Sequence, residues 1–236
     1  MANKTAVVTG GTRGIGKAII QKLASEGFNI CTCSRSIEAL NELKKNVELA
    51  HPEVNIYILK ADLSKKDEVL SFVEFVKSQF LNIDVLVNNT GIFIPGEILK
   101  EEEGNLELMM NTNLYSAYHL TRGLLPIMVK QKSGHIFNMC SVASITAYPN
   151  GGSYSISKFA LYGMSKVLRE EMKPFGIRVT SVLPGATYTS SWEGVDVPKD
   201  RLMRVEDIAA SLWGAYGLSK TSVIEDLVIR PQLGDL

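Results

Sequence analysis

The stretch that decides the fold, residues 5–16, reads TAVVTGGTRGIG. It joins a short apolar run rich in β-branched residues, typical of a buried strand, to a helical pattern that begins at residue 14. Glycines between them let the backbone turn tightly and approach a pyrophosphate, whose charge is met by amides at the helix N-terminus. A glycine-rich turn alone would equally fit a helix-capping loop, but its place between the first strand and the first helix favours nucleotide binding. The residues predicted to bind the nucleotide here are Gly10, Thr12, Arg13, Gly14, Ile15 and Gly16.

The same alternation of strand and helix continues along the rest of the chain. Apolar residues at consecutive positions predict strands buried on both faces, as in a parallel sheet covered by helices. We therefore predict an α/β fold, a Rossmann-like doubly wound sheet of seven parallel strands in a single domain over 1–236. The acidic run 101–103 is predicted to begin the fourth helix, where its charge favours the helix dipole. The predicted strands are 5–10, 28–34, 54–61, 83–89, 134–141, 176–185 and 226–231, and the helices are 14–26, 36–50, 65–80, about 103–131, 153–173 and 205–218.

Composition and charge narrow the function classes. The 236 residues contain 25 Lys plus Arg and 25 Asp plus Glu, so the chain offers no basic surface for nucleic acid. The N-terminus does not resemble a signal peptide, and no apolar run approaches the roughly 20 residues of a membrane span, so we expect a cytoplasmic protein without a membrane partner. Cys31, Cys33 and Cys140 lie in apolar runs and the three histidines are scattered, which predicts buried reduced thiols and no metal site.

The end of the second predicted strand decides between NAD and NADP. An NAD site usually has an acidic residue there, which binds the ribose 2′-hydroxyl. This chain has Ser34, Arg35 and Ser36 instead. A guanidinium can pair with a 2′-phosphate through two hydrogen bonds, and Arg13 in the glycine turn would add a second positive charge. The sequence therefore predicts NADP(H) as cofactor, with Ser34 and Arg35 among its ligands.

These motifs resemble those of the short-chain dehydrogenase/reductase family over nearly the whole chain. The TGxxxGxG motif of the family matches residues 9–16, its NNAG motif appears as NNTG at 88–91, and its YxxxK motif matches Tyr154 and Lys158. The resemblance implies a catalytic set of Asn113, Ser141, Tyr154 and Lys158. It also implies further cofactor contacts from Asp62, Leu63, Asn89, Thr90, Gly91, Tyr154, Lys158, Pro184, Gly185, Thr187 and Thr189.

The family's reaction is the reduction of a carbonyl to an alcohol, or its reverse, by hydride transfer. Tyr154 would give the proton, and Lys158, four residues along the same helix face, would lower the pKa of this phenol. Ser141 would stabilise the charge that develops on the substrate oxygen. The resemblance implies that Asn113 holds a water linking Lys158 to solvent.

Two alternatives remain beside this interpretation. A second YxxxK pair, Tyr162 and Lys166, lies on the same predicted helix but points about 80° away from the first. It is expected to belong to a helix-packing face, where Gly163 would permit close approach. Some relatives bind the dinucleotide without turning it over and act as redox sensors; they are expected to lose the catalytic Tyr or Lys, which this chain keeps.

Substrate specificity is expected from three loops, at 90–100, 142–153 and 186–203, the last being a short substrate loop. Their apolar and aromatic side chains suit an apolar or aromatic carbonyl compound, or else pack the loops against the protein. The C-terminal sequence VIEDLVIRPQLGDL lacks the Gly-Gly segment of 3-oxoacyl-acyl-carrier-protein reductases and is closer to sepiapterin-type and general carbonyl reductases. The resemblance also implies a homodimer or homotetramer formed through the helices at 103–131 and 153–173. The loop residues in question are Ile92, Phe93, Ile94, Pro95, Ile145, Tyr148, Pro149, Tyr188, Trp192 and Val195.

Overall fold

A computed structural model describes residues 3–189 and 197–234 of the chain. It contains one seven-stranded sheet with the strand order β3-β2-β1-β4-β5-β6-β7, and every neighbouring pair is parallel. The predicted α/β class and doubly wound sheet are confirmed. The strands are β1 Thr5–Thr9, β2 Asn29–Ser34, β3 Ile56–Lys60, β4 Val85–Asn88, β5 Gly134–Met139, β6 Ile177–Pro184 and β7 Asp226–Ile229.

Helices cover both faces of the sheet. On one face α1 packs against α7, and on the other α3 packs against α5. Each face has its own core, represented by Ile19 and Leu23 on the first and by Phe72 and Leu124 on the second, all at most 1% exposed. No described helix has the length and apolar character to cross a membrane. The helices are α1 Gly14–Ser25, α2 Ile37–Ala50, α3 Lys66–Gln79, α4 Asn105–Met110, α5 Ser116–Gln131, α6 Gly152–Met172 and α7 Val205–Tyr216.

The strand order places a crevice between β1 and β4, where the direction of winding reverses. The ends of these two strands are tied together by Thr9, whose hydroxyl accepts hydrogen bonds from the backbone amides of Asn89 and Thr90, both at 2.9 Å. The glycine turn after β1 and the NNTG segment after β4 therefore lie side by side at the edge of the sheet where ligands bind.

The acidic run was expected to begin the fourth helix, and this prediction is wrong. The helix begins later, at Asn105, because Gly104 before it has a left-handed conformation with φ of 90°. Glu101 instead accepts hydrogen bonds from Ser153 at the start of α6. The predicted single helix over 103–131 is also divided, since a π-helical turn at Asn111–Tyr115 separates α4 from α5.

The three cysteines are buried and free, as predicted. Burial raises the pKa of the Cys33 thiol to about 12 and that of Cys140 to about 11, so both stay protonated at neutral pH. Within the described residues, no cluster of His, Cys, Asp or Glu has the arrangement of a metal site.

Candidate active site

The turn between β1 and α1 requires glycine at particular positions. Gly10 and Gly14 have φ of 66° and 54°, in the left-handed region that other residues rarely adopt. At Gly16 a Cβ atom would lie 2.4 Å from the carbonyl oxygen of Gly10, which is too close for any side chain. The turn is thereby held tight against the start of α1, and its backbone is left open toward the crevice.

A cavity of about 360 Å³ lies at this turn, over the carboxyl ends of β1 to β4. Fourteen of the predicted cofactor residues line it: Gly10, Thr12, Arg13, Gly14, Ile15, Gly16, Ser34, Arg35, Asp62, Leu63, Asn89, Thr90, Gly91 and Thr189.

The remaining predicted cofactor residues are not in the wall of this cavity. Tyr154 and Lys158 belong to the adjoining group that was predicted to be catalytic, and Pro184 ends β6. Thr187 is buried, and its hydroxyl donates a 3.0 Å hydrogen bond to the carbonyl of Gly185. Gly185 and Thr187 therefore shape the turn after β6 and do not line the cavity.

The sequence prediction missed six residues of the cavity wall. Cys33, Ala61 and Ser64 lie at or just after the ends of β2 and β3, and the rule that ligands bind at strand ends could have identified them. Ile92 was expected in the first substrate loop and not as a cofactor contact, while Leu108 in α4 and Thr112 in the π-helical turn are marked by no sequence motif.

The outer end of the cavity is positively charged. Arg13 and Arg35 are exposed, and neither guanidinium forms a hydrogen bond or ion pair with any residue that the structure describes. Thr12 donates a 3.2 Å hydrogen bond to the hydroxyl of Ser34, which brings the glycine turn to the end of β2. Burial alone would raise the pKa of Asp62, but hydrogen bonds from Ser64 and the charge of Arg35 outweigh it and lower this pKa. Asp62 is therefore an ionised acceptor near Arg35.

Lys158 is buried beside Tyr154 in the first turns of α6. Its side chain is 5% exposed, and its Nζ donates a 2.7 Å hydrogen bond to the carbonyl oxygen of Met139 at the end of β5. The Nζ atom lies 5.8 Å from the centre of the Tyr154 ring. Burial lowers the pKa of Lys158 to about 8, so the ammonium form still predominates at neutral pH.

The pKa of Tyr154 differs from the sequence prediction. Lys158 was expected to lower it, but burial raises it, and the nearby Ser141 hydroxyl offsets only part of this effect. Ser141 is fixed just after β5, because its Oγ accepts a 3.1 Å hydrogen bond from the amide of Ala143 and its own amide donates to Ser144. The Ser141 hydrogen remains free to be donated toward Tyr154 or a substrate oxygen.

Asn113 lies in the π-helical turn and is completely buried. Its Oδ1 accepts a 2.7 Å hydrogen bond from the amide of Ile92, and its Nδ2 donates to the carbonyl of Ile92 and to the hydroxyl of Ser157, at 3.0 and 2.9 Å. Both amide hydrogens of Asn113 are therefore used within the protein. A Cβ at Gly91 would lie 3.3 Å from Asn113 Oδ1 and 3.4 Å from Lys158 Nζ, so the segment after β4 lies close to both side chains.

The second YxxxK pair has a structural role. Tyr162 donates a 3.1 Å hydrogen bond to Asp226, and Lys166 forms a 2.5 Å ion pair with the same carboxylate at the start of β7. This position is at the amino end of the strand, opposite to the crevice. No described residue makes the expected close approach at Gly163, since a Cβ there would meet none of their atoms within 4 Å.

Aromatic residues stand next to the catalytic group. The Phe93 ring meets the Tyr154 ring edge to face with centroids 4.8 Å apart. Burial, together with the neighbouring Tyr154, raises the pKa of Tyr148 to about 12, so this phenol is neutral. Phe93, Tyr148, Ile145 and Tyr188 are each between 40% and 47% exposed. Trp192 and Val195, predicted in the third loop, lie outside the described residues.

A sequence model of the family described as short chain dehydrogenase matches residues 4–198. The chain belongs to the short-chain dehydrogenase family. It is thus an oxidoreductase of this family, and the glycine turn and the Tyr154–Lys158 pair stand in the part of the chain that the match covers.

Individual members of the family resemble this short-chain dehydrogenase over nearly its full length. The sepiapterin reductase of Chlorobaculum tepidum is 33% identical, over 98% of this chain and 97% of its own. An alcohol dehydrogenase from Thermococcus sibiricus, solved in complex with 5-hydroxy-NADP, has a TM-score of 0.90 and 26% identity, with 97% of each chain covered. A metagenomic short-chain oxidoreductase in complex with NADP has a TM-score of 0.84 and 30% identity, again over 97% of each chain.

Proposed function

We propose that this short-chain dehydrogenase is an NADP(H)-dependent enzyme that reduces a carbonyl to an alcohol, or catalyses the reverse reaction. The observation that carries the proposal is the group formed by Ser141, Tyr154 and Lys158 beside the cavity at the glycine turn. A single domain would hold both the cofactor and the substrate, with residues 186–203 as the substrate loop.

The cavity fits NADP(H). Its glycine turn leaves the backbone open where a pyrophosphate would meet the N-terminus of α1. Arg13 and Arg35 line the cavity, and among the described residues their guanidinium groups have no ion-pair partner, so they could pair with a 2′-phosphate; no acid at the end of β2 would repel it. The structures of two similar proteins hold NADP or a derivative of it. When bound, the reduced cofactor supplies a hydride, the one reactant that no amino-acid side chain provides.

The protein's own residues handle the proton and the charge on oxygen. Ser141 would donate a hydrogen bond to the substrate oxygen and stabilise the negative charge that develops there. Tyr154 would give its proton to the same oxygen in reduction, or take it in oxidation. Lys158, protonated at neutral pH, favours the phenolate that remains, and its hydrogen bond to Met139 keeps the ammonium in place. Asn113 would hold Ile92 and Ser157 in place. Because both of its amide hydrogens are used in these contacts, a water between Lys158 and solvent would have to be bound by oxygen atoms and not by the amide hydrogens of Asn113.

The substrate we propose is an apolar or aromatic carbonyl compound. Phe93 and Tyr148 next to Tyr154 offer flat, uncharged surfaces, and planar compounds bind such surfaces well. A pteridine ketone, as the name of the Chlorobaculum tepidum relative suggests, is one candidate. A 3-oxoacyl thioester is the other, although the C-terminal sequence departs from the reductases that use it.

We also propose a homodimer or homotetramer in the cytoplasm, without nucleic acid or membrane partners. An apolar stripe on α6 is exposed, formed by Ile156, Phe159 and Val167, with 42%, 45% and 59% of each residue accessible. Gly163 lies in the same stripe, and no atom of the described residues would lie within 4 Å of a Cβ there. Exposed apolar residues aligned along one helix face are typical of a surface that another subunit covers.

The test is a titration of the purified protein with NADPH and NADH by fluorescence, followed by turnover of several carbonyl compounds. The panel contains a pteridine diketone, a 3-oxoacyl thioester, an aromatic aldehyde and a simple sugar. We expect a preference for NADPH, and turnover that is lost in Tyr154→Phe and kept in the matched variant Tyr162→Phe. Turnover that survives Tyr154→Phe would refute the mechanism. Tight NADPH binding without turnover of any compound would favour a redox sensor.

A further inference from the structure

The N-terminus of α6, the helix that carries Tyr154 and Lys158, has no cap from its own sequence. Its N-cap residue is Gly151, which has no side chain and therefore cannot cap the helix itself. The first backbone amides of a helix have no acceptor within the helix and need one from elsewhere. Capping by side chains normally comes from the residue next to the helix.

Here the acceptor comes from Glu101, 52 residues earlier in the chain. Its Oε1 accepts a 2.7 Å hydrogen bond from the backbone amide of Ser153, and its Oε2 accepts a hydrogen bond from the Ser153 hydroxyl. Both oxygens of one carboxylate are thus bound to the residue that directly precedes Tyr154. A carboxylate at a helix N-terminus is also stabilised by the helix dipole.

Two glycines make room for this contact. A Cβ at Gly152 would lie 1.8 Å from Glu101 Oε1, and a Cβ at Gly96 would lie 2.5 Å from the Cγ of Glu101. The amide of Gly96 also donates a 3.0 Å hydrogen bond to the carbonyl of Asn150. The segment 91–101 is therefore docked on the start of α6 by its backbone as well as by Glu101, and it is the same segment that brings Phe93 against Tyr154.

We propose that Glu101 is a positioning residue for the reaction: by binding Ser153, it sets the position of Tyr154 relative to the wall that Phe93 forms. Glu101 touches neither the proposed substrate nor the reacting atoms, and it acts through Ser153. The inference rests on the proposed function, in which Tyr154 gives the proton. A displacement of a catalytic group by about 1 Å can lower the rate by about a hundredfold, so a cap that fixes this position affects turnover.

The experiment compares Glu101→Ala, Glu101→Gln and Ser153→Ala with the matched control Glu102→Ala, whose side chain is exposed. For each, we would measure kcat and KM with the best carbonyl substrate, the Kd of NADPH, and hydrogen exchange of the amides at 150–156 in the protein without cofactor. We expect kcat to fall by at least about tenfold in Glu101→Ala, with the Kd of NADPH within about twofold of the original. Glu101→Gln should keep part of kcat, because its amide oxygen still accepts the Ser153 amide.

Hydrogen exchange gives a readout that does not depend on catalysis. Loss of the cap should accelerate exchange at the start of α6 by about fivefold in Glu101→Ala and leave it unchanged in Glu102→Ala. Faster exchange with unchanged kcat would overturn the positioning role, and unchanged exchange would overturn the cap itself. If kcat falls only in proportion to a lower melting temperature, and Glu101→Gln does not restore it, Glu101 stabilises the fold and does not position Tyr154. Failure of the proposed function is recognised separately, since turnover would then survive Tyr154→Phe.

Discussion

Replacing Lys158 by methionine should make the protein without cofactor more stable at neutral pH, although it removes a residue of the proposed catalytic group. Burial lowers the pKa of Lys158 from 10.5 to about 8. At about 1.4 kcal/mol for each tenfold change in proton binding, keeping the buried ammonium charged costs about 3 kcal/mol of the free energy of unfolding. Methionine has a similar length and carries no charge, so Lys158→Met removes this cost. The variant also loses the hydrogen bond to Met139, which lowers its free energy of unfolding by an amount that does not depend on pH.

The sign of the pH dependence is the sharper test. Between pH 8 and 10.5 the unfolded chain keeps the Lys158 proton and the folded protein has lost it, so the stability of the original protein rises with pH in this window. The advantage of Lys158→Met should therefore be full below pH 8 and disappear above pH 10.5. Urea unfolding from pH 6.5 to 10.5, at one fixed protein concentration, measures this difference.

The matched control is Lys166→Met on the same helix. Burial alone would lower the pKa of Lys166, but its contacts with Asp226 and Tyr162 outweigh it and raise the pKa. Lys166 therefore stabilises the protein at neutral pH and loses this effect as the pH rises through its raised pKa. Its replacement should have the opposite sign to that of Lys158. A Lys158→Met variant that is less stable than the original by the same amount at every pH would refute the reasoning.

Two further predictions concern the cofactor and the assembly. Arg35→Glu should raise the Kd of NADPH at least about tenfold and leave that of NADH nearly unchanged, since only NADPH carries the 2′-phosphate. Fluorescence titration decides it, and an equal loss for both cofactors would mean that Arg35 does not bind this phosphate. Val167→Glu should shift the protein toward the monomer in light scattering, because a charge replaces the most exposed apolar residue of the α6 stripe. An unchanged mass would place the subunit interface elsewhere.

Local sequence was sufficient to predict most of the fold and most of the residues that line the cavity at the glycine turn. The glycine turn could be predicted because the backbone of this short segment requires glycine at Gly10, Gly14 and Gly16. The seven strands could be read because consecutive apolar positions reflect burial on both faces. Helix geometry and family resemblance together favoured Tyr154 over Tyr162, and in the structure Tyr162 contacts Asp226 instead.

What could not be predicted depends on contacts between distant parts of the chain. The acidic run gave no sign that Glu101 would cap a helix 52 residues later instead of the one that follows it. The raised pKa of Tyr154 depends on how deeply the phenol is buried, which the helix spacing to Lys158 does not determine. No sequence motif predicts the π-helical turn that directs the Asn113 side chain toward Ile92.

These long-range contacts all join the segment after β4 to α6. Asn113 binds Ile92 and Ser157, Glu101 binds Ser153, and Phe93 contacts Tyr154. The glycine turn and the arginines lie on the other side of the cavity, on β1, α1 and the end of β2. Changes at Glu101 and Phe93, which do not line the cavity, should therefore alter kcat with little effect on cofactor affinity, and changes in the second group should do the reverse. Burial makes the charge of Lys158 costly, and the Met139 carbonyl holds its ammonium group in place, so the stability that this lysine costs is the physical condition for keeping an ammonium group beside Tyr154.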